Sequence, residues 1–171
     1  MDKGYIQVYT GNGKGKTTAA LGISLRAVCA GNKVFFGQFM KGQEYSELKA
    51  SQLLPGWEME QFGGECFING KPSQKDIDDA HAGLDRMREV LSSGKYDLVV
   101  FDEINTSLFF NLISVEEVME VLDLKPQGTE VVLTGRYAPD EIIARADLVT
   151  EMKEIKHYYS QGVNARVGIE N

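Results

Sequence analysis

Cysteine is scarce: Cys29 and Cys66 are the only two in 171 residues. They lie far apart and lack zinc-ligand spacing. Both are expected to be buried thiols that pack as small hydrophobes. Long apolar runs are missing as well. None approaches the ~18 residues of a membrane span, so no membrane partner is expected. The N-terminal stretch MDKGYIQVYTG has no basic segment leading into an apolar core. That is not the pattern of a secretory signal, and a cytoplasmic location is expected. Basic charge is in deficit, with 18 Lys and Arg against 25 Asp and Glu and a net charge of −7. This disfavours general nucleic-acid binding, where counterion release supplies most of the affinity. A local basic pocket for a phosphate ligand remains compatible with it. Internal repeats, low-complexity tracts and linkers are absent too.

What is present is ordinary globular composition, 43% hydrophobic and 25% charged. A chain of this length buries roughly 70% of its unfolded surface, so it needs no disulfide or metal staple. Domains run to about 100–200 residues, and residues 1–171 are expected to form a single one.

Strand and helix signals alternate along the chain. Tyr5 to Tyr9 is a short β-prone run ending in a glycine-rich loop. A helix is predicted from about Thr17 to Ala30, with Leu21, Leu25 and Val28 on one face and Gly31 as its stop. Lys33 to Phe39 is a second strand. Lys41 to Leu54 is polar and then weakly helical, ended by Pro55-Gly56. Trp57 to Phe62 is an alternating or irregular strand, and 63–72 reads as a loop. Ser73 can cap a helix to about Ser92, whose stripe Ile77, Ala80, Leu84, Met87 and Leu91 has helical spacing. Leu98 to Phe101 is a continuous apolar run, as in a strand buried on both faces. Ser114 to Glu117 is a capping box opening another helix. Thr129–Thr134, Pro139–Ala146 and Asp147–Thr150 read as strand, helix and strand. Such alternation implies right-handed βαβ units and a mostly parallel sheet covered on both faces. Ligands of such sheets sit at the C-terminal strand ends.

The segment Thr10-Gly11-Asn12-Gly13-Lys14-Gly15-Lys16-Thr17-Thr18 carries the most information. It follows a strand and opens a helix, as a phosphate loop must. Glycines let successive N–H groups turn in around phosphate oxygens, and the helix N-terminus adds free donors and partial positive charge. Lys16 can reach the distal phosphates, and Thr17 can offer its hydroxyl to Mg²⁺. The usual pattern G-x-x-x-x-G-K-S/T is altered: Thr10 stands at the first glycine position, Gly11 follows, and Lys14 adds a second lysine. The bland alternative is a glycine-rich turn that merely joins strand to helix. Asp102-Glu103, directly after the apolar run, can hold Mg²⁺ or its waters, or cap the next segment. Thr134-Gly135-Arg136 ends another strand, and Arg136 can contact phosphate or form a surface ion pair. His81 and His157 read as structural, and Phe109-Phe110 as core or loop anchors. These residues together specify a P-loop nucleotide-binding α/β domain. They leave the reaction open, since transfer to water, transfer to a small molecule and attack elsewhere on ATP would all use this loop.

Several blocks together resemble the P-loop type of ATP:corrinoid (cob(I)alamin) adenosyltransferases. They are Tyr9 to Ala20 with the same displaced glycine, Gly37-Gln38-Phe39-Met40-Lys41-Gly42, Asp102-Glu103 and Thr134-Gly135-Arg136. Ala146 to Met152, Lys156-His157, Gly162-Val163 and Gly168-Ile169-Glu170 complete the set. They run in order over about residues 5–170. The resemblance implies a three-layer, RecA-like P-loop NTPase fold and a homodimer. It implies transfer of the 5′-deoxyadenosyl group of ATP to the cobalt of a reduced corrinoid, cob(I)alamin or cob(I)yrinic acid a,c-diamide, with release of triphosphate. Adenosylcobalamin synthesis and corrinoid salvage use that reaction, and a reduced flavoprotein is the natural electron donor.

The family holds ATP in a reversed sense, so that the ribose 5′-carbon faces the acceptor. Carried over residue by residue, Gly11 to Thr17 hold triphosphate, with Thr18 flanking. Lys16, Thr17 and Glu103 are the catalytic choices, and Thr17 and Glu103 flank Mg²⁺, with Asp102 the alternative. Gln38, Lys41 and Gly42 line the site near ATP or corrinoid, and Arg136 contacts phosphate or substrate. The family also excludes the lower axial cobalt ligand with a Phe and a Trp two apart. Here Phe67 matches the first and Asn69 stands at the second. The helix that covers the corrinoid in longer members is expected to be missing, since the first strand starts at residue 5.

Two other readings compete. A small-molecule kinase resembling thymidine kinase shares the fold, but its zinc lasso needs cysteine pairs. A regulatory or carrier protein would bind ATP and corrinoid without turnover.

Overall fold

The computed structural model describes residues 2–64 and 70–170. Six runs rich in β-branched and aromatic residues form its strands. They are β1 (Ile6–Thr10), β2 (Val34–Phe39), β3 (Trp57–Phe62), β4 (Leu98–Asp102), β5 (Glu130–Thr134) and β6 (Leu148–Glu151). They pair in the order β3-β2-β4-β5-β1-β6, and every pairing is parallel. Parallel neighbours need crossover connections, which helices supply. β2, β4 and β5 are buried at every position, as strands covered on both faces should be. Their side chains alternate between two cores. Val34, Phe36, Leu98, Val100 and Val132 face one way, and Phe35, Phe39, Val99, Phe101, Val131 and Leu133 the other.

The first core is covered by α1 (Lys16–Cys29) and the short α2 (Ala50–Leu53). The second is covered by α3 (Gln74–Ser92), α4 (Ile104–Phe109), α5 (Val115–Leu122) and α6 (Asp140–Arg145). The result is three layers, helix–sheet–helix. Capping boxes start α3 and α5: Ser73 with Asp76, and Ser114 with Glu117. Each pair satisfies two helix N–H groups that would otherwise lack partners. The α3 stripe predicted from spacing is the buried one, with Met87 at 0% and Leu91 at 1% exposure.

Three details differ from expectation. The inward row of α1 is Lys16, Ala20 and Ser24, flanked by Leu21, Ile23, Ala27 and Val28. Leu25 is 47% exposed. Small residues let the helix sit close to the sheet, and the row that buries Lys16 fixes its rotation. Cys29 is exposed rather than buried. It lies nine residues after Ala20, on the opposite side of a helix that turns about 100° per residue. Cys66 lies outside the described residues, as do Phe67 and Asn69. Finally, α4 has no sequence signal of its own. It is six residues long and starts from Glu103 in a left-handed conformation with no side-chain cap.

Candidate functional site

At the C-terminal end of β1 the chain turns through 11–15 and enters α1. Gly11 and Gly15 have φ of 96° and 116°, in the left-handed region where glycine is favoured. The position of the displaced glycine has a steric cause. A Cβ on Gly11 would lie 2.4 Å from the carbonyl oxygen of Met152. The chain after β6 runs against the loop: Met152 N donates to Thr10 O at 2.8 Å, and Gly13 N to Met152 O at 2.7 Å. Thr10 itself belongs to β1, and its hydroxyl accepts from Ala138 N.

Gly15 caps α1 without a side chain, leaving the first N–H groups for an anion. Lys16 is buried and donates to Gly11 O and Gly13 O, both at 2.8 Å. Burial pulls its pKa below the ordinary lysine value, against the raising influence of Glu103.

Asp102 ends β4 wholly buried. Its Oδ1 accepts from Thr17 Oγ1 at 2.8 Å and Thr134 Oγ1 at 2.6 Å. Its Oδ2 accepts from Lys41 Nζ at 2.9 Å and Gln38 Nε2 at 3.3 Å. One carboxylate thus ties α1, β5, β2 and the chain after β2. Burial opposes the charge on Lys41, but Asp102, Glu103 and Glu47 outweigh it, and its pKa lies above the usual value. Glu103 has φ of 62°; its amide donates to Thr134 Oγ1 and its carboxylate accepts from Thr106 Oγ1. Burial first, and then the negative charge of Asp102, push its pKa up.

A cavity of about 500 Å³ opens over these elements. Of the residues expected at the site, Gly13 to Thr18, Lys41, Glu103 and Arg136 line it. Gly11 and Asn12 do not; Gly11 abuts Met152 instead. Gln38 and Gly42, expected to line it, do not either. Gln38 is wholly buried, bonded to Asp102, Glu47 and Gln61. Gly42 abuts the other side of the segment, where a Cβ would lie 2.4 Å from Gly63 O. Asp102 sits beneath the cavity rather than in it. Phe67 lies outside the described residues. Four cations, Lys14, Lys16, Lys41 and Arg136, therefore line one cavity in a chain of net charge −7.

The structure adds lining residues to which the sequence motifs assigned no site role. Tyr45, Ser46 and Glu47 come from the turn before α2, and Gly168, Ile169 and Glu170 from the C-terminal segment. His157 also lines it while keeping a structural role, its Nδ1 accepting from Tyr159 N at 3.0 Å. His81 is elsewhere. Its ring bonds Ile77 O at 2.9 Å and Glu117 at 3.2 Å, linking α3 to α5. Phe110 packs against the core, whereas Phe109 is exposed and lies against Tyr137, centroids 4.3 Å apart.

The family model described as "ATP:corrinoid adenosyltransferase BtuR/CobO/CobP" matches residues 2–171. The chain belongs to the ATP:corrinoid adenosyltransferase family. Proteins named corrinoid adenosyltransferase align with almost all of it. That of Escherichia coli K12 is 33% identical over 170 residues, 99% of this chain and 86% of the relative. That of Sinorhizobium sp is 36% identical over 177 residues, covering 99% and 81%. The Salmonella typhimurium LT2 protein is 34% identical, covering 99% and 86%. An adenosyltransferase acting on ATP and a corrinoid, in cobalamin biosynthesis, is the activity this membership gives. A kinase and a non-catalytic binder are not favoured. Among the described residues, no helix is long and apolar enough to cross a membrane.

Proposed function

We propose that residues 1–171 act as one catalytic unit in which the loop Gly11–Thr18 holds the triphosphate of ATP and presents the ribose 5′-carbon to the cobalt of a reduced corrinoid. The observation that carries this reading is the cavity lined by Lys14, Lys16, Lys41 and Arg136 at the N-terminus of α1. The cobalt(I) centre attacks the 5′-carbon with its electron pair. A Co–C bond forms, the C5′–O bond breaks, and triphosphate leaves with that bond's electrons. The substrate carries the hard chemistry, so the protein needs no nucleophile of its own. Its contribution is to orient the reactants and to stabilise a leaving group bearing several negative charges.

Each residue has a part in that task. Lys16 leaves the carbonyls of Gly11 and Gly13 for the phosphate chain. Arg136 and Lys41 add charge at the cavity wall. The residues suit Mg²⁺, a hard cation with a preference for oxygen. Thr17 and Glu103 would hold it: Glu103 lines the cavity, whereas the alternative, Asp102, is wholly buried and already accepts four hydrogen bonds. Bound there, Mg²⁺ supplies further charge stabilisation to the phosphate oxygens. Family resemblance supports a homodimer, a reduced flavoprotein as electron donor and a cytoplasmic setting. It also supports Phe67 as a side chain that excludes the lower cobalt ligand.

The test is an anaerobic reaction of the purified chain with ATP, Mg²⁺ and chemically reduced cob(I)alamin, with identification of the phosphate product. Triphosphate released in step with a light-sensitive alkylated cobalt is expected. ADP released without alkylation would refute the reading.

A further inference from the structure

The second loop lysine is already occupied. Lys14 Nζ lies 2.7 Å from Glu170 Oε1, 3.0 Å from Tyr158 Oη and 3.5 Å from Ile169 O. An ammonium has three donors, so its hydrogen-bonding capacity is used up by the C-terminal segment. The same carboxylate is gripped from its other side. Arg166 donates to Glu170 Oε2 through its backbone N at 2.9 Å and its Nε at 3.2 Å, and to Oε1 through a terminal nitrogen at 3.1 Å. Tyr158 donates to Glu170 as well. The Tyr158 ring lies beneath both cations, 5.7 Å from Lys14 Nζ and 5.1 Å from the Arg166 guanidinium carbon. Arg166, Lys14 and Tyr158 hold the Glu170 carboxyl well below the usual carboxylate range, so it is an anion throughout the physiological range.

Glu170 lines the same cavity as Lys14 and Lys16. A phosphate oxygen that is to bond Lys14 must take over a position held by the segment, because no donor is spare. We propose that Glu170 is a positioning residue of the nucleotide site, an internal anion that competes with the phosphate chain for Lys14, so that phosphate binding displaces the segment Tyr158–Glu170 and its return favours product departure. This inference rests on the phosphate-binding reading of the loop. It adds that the affinity of the loop is held down by a carboxylate of the chain itself. Lys14 and Arg166 carry two positive charges against one on Glu170. Neutralising Glu170 therefore frees Lys14, the member of this pair that lines the cavity, for the incoming anion.

The test uses inorganic tripolyphosphate as the probe, titrated against the full chain and its variants by calorimetry. Glu170→Gln is expected to bind it about fivefold more tightly, the scale of one partly exposed ion pair. In a Lys14→Ala background the same change should have little effect. A purely structural Glu170 would act in the opposite direction, since a loosened cavity wall weakens binding. Hydrogen exchange gives a second readout that needs no variant. Amides of 158–170 should exchange faster when tripolyphosphate is added to the unaltered chain, and unchanged or slower exchange would overturn the displacement. Lys16→Ala separates the two levels. If it abolishes binding while Glu170→Gln fails to tighten it, the competition is wrong and the phosphate site stands. If Lys16→Ala leaves tripolyphosphate binding intact, both are wrong.

Discussion

Thr17 in the first turn of α1 donates its hydroxyl to Asp102 at the end of β4, 2.8 Å away. This bond fastens the phosphate loop to the acidic pair across 85 residues of sequence. The same carboxylate takes Thr134, Lys41 and Gln38. Asp102 is thus the joint of the site, while Glu103, one residue later, is the carboxylate presented to the cavity.

Asp102→Ala should therefore destabilise the fold as well as the activity. It leaves the Lys41 ammonium partly buried without its partner, and breaking such a pair costs about 3–5 kcal/mol. Urea denaturation of the purified variant reads this directly. A stability equal to that of the unaltered chain would contradict the joint.

Lys16→Ala should lower kcat by a factor of about 100 or more, the loss found when one fixed electrostatic contact to a developing charge is removed. The fold should persist, because the bonds lost are those to Gly11 O and Gly13 O. Single-turnover kinetics with preformed cob(I)alamin measure the step without interference from cobalt reduction. Near-normal turnover would refute the role given to the loop.

Gly11→Ala tests the brace behind the loop. The added Cβ meets Met152 O at 2.4 Å, and φ is 96°. A strained left-handed residue costs about 1–3 kcal/mol, and the clash adds to that. ATP affinity and thermal stability should fall together; unchanged values would mean that the chain after β6 does not press on the loop.

Glu103 gives a pH signature. Burial and Asp102 raise its pKa in the folded state, so the native state holds this proton more firmly than the unfolded chain. Stability is then lost as pH rises from the ordinary carboxylate pKa through the folded one. Glu103→Gln should be more stable than the unaltered chain at neutral pH, and the difference should vanish below the ordinary carboxylate range. A difference that is constant with pH would exclude this ionisation as its source.

Phe67→Ala follows from family resemblance. It should slow adenosylation that starts from cob(II)alamin and a reductant more than adenosylation that starts from preformed cob(I)alamin. Equal losses in the two assays would count against exclusion of the lower ligand.

Much of this was legible before folding. The strands showed themselves through apolar runs such as Leu98–Phe101, and α3 and α5 through Ser73 and Ser114. The loop from Gly11 to Thr18 and the pair Asp102-Glu103 stood out because glycine, lysine and carboxylate spacing is local. What stayed hidden depends on tertiary placement. The rotation of α1 follows from burying Lys16 beside Ala20 and Ser24, which leaves Leu25 outside although its hydrophobicity points inward. α4 lacks helix signals because its six residues are held by burial of Ile104 and Leu108 and by the left-handed Glu103. Gln38 sits in a matching motif, yet lies under the cavity because β2 is covered on both faces. The joining of Lys14 to Glu170 spans 156 residues, and no local pattern announces it.

The most direct measurement is the anaerobic reaction of this chain with cob(I)alamin, ATP and Mg²⁺, followed by visible spectra and phosphate analysis. One triphosphate is expected for each light-sensitive Co–C bond formed. ATP cleaved to ADP while the cobalt stays unalkylated would contradict it.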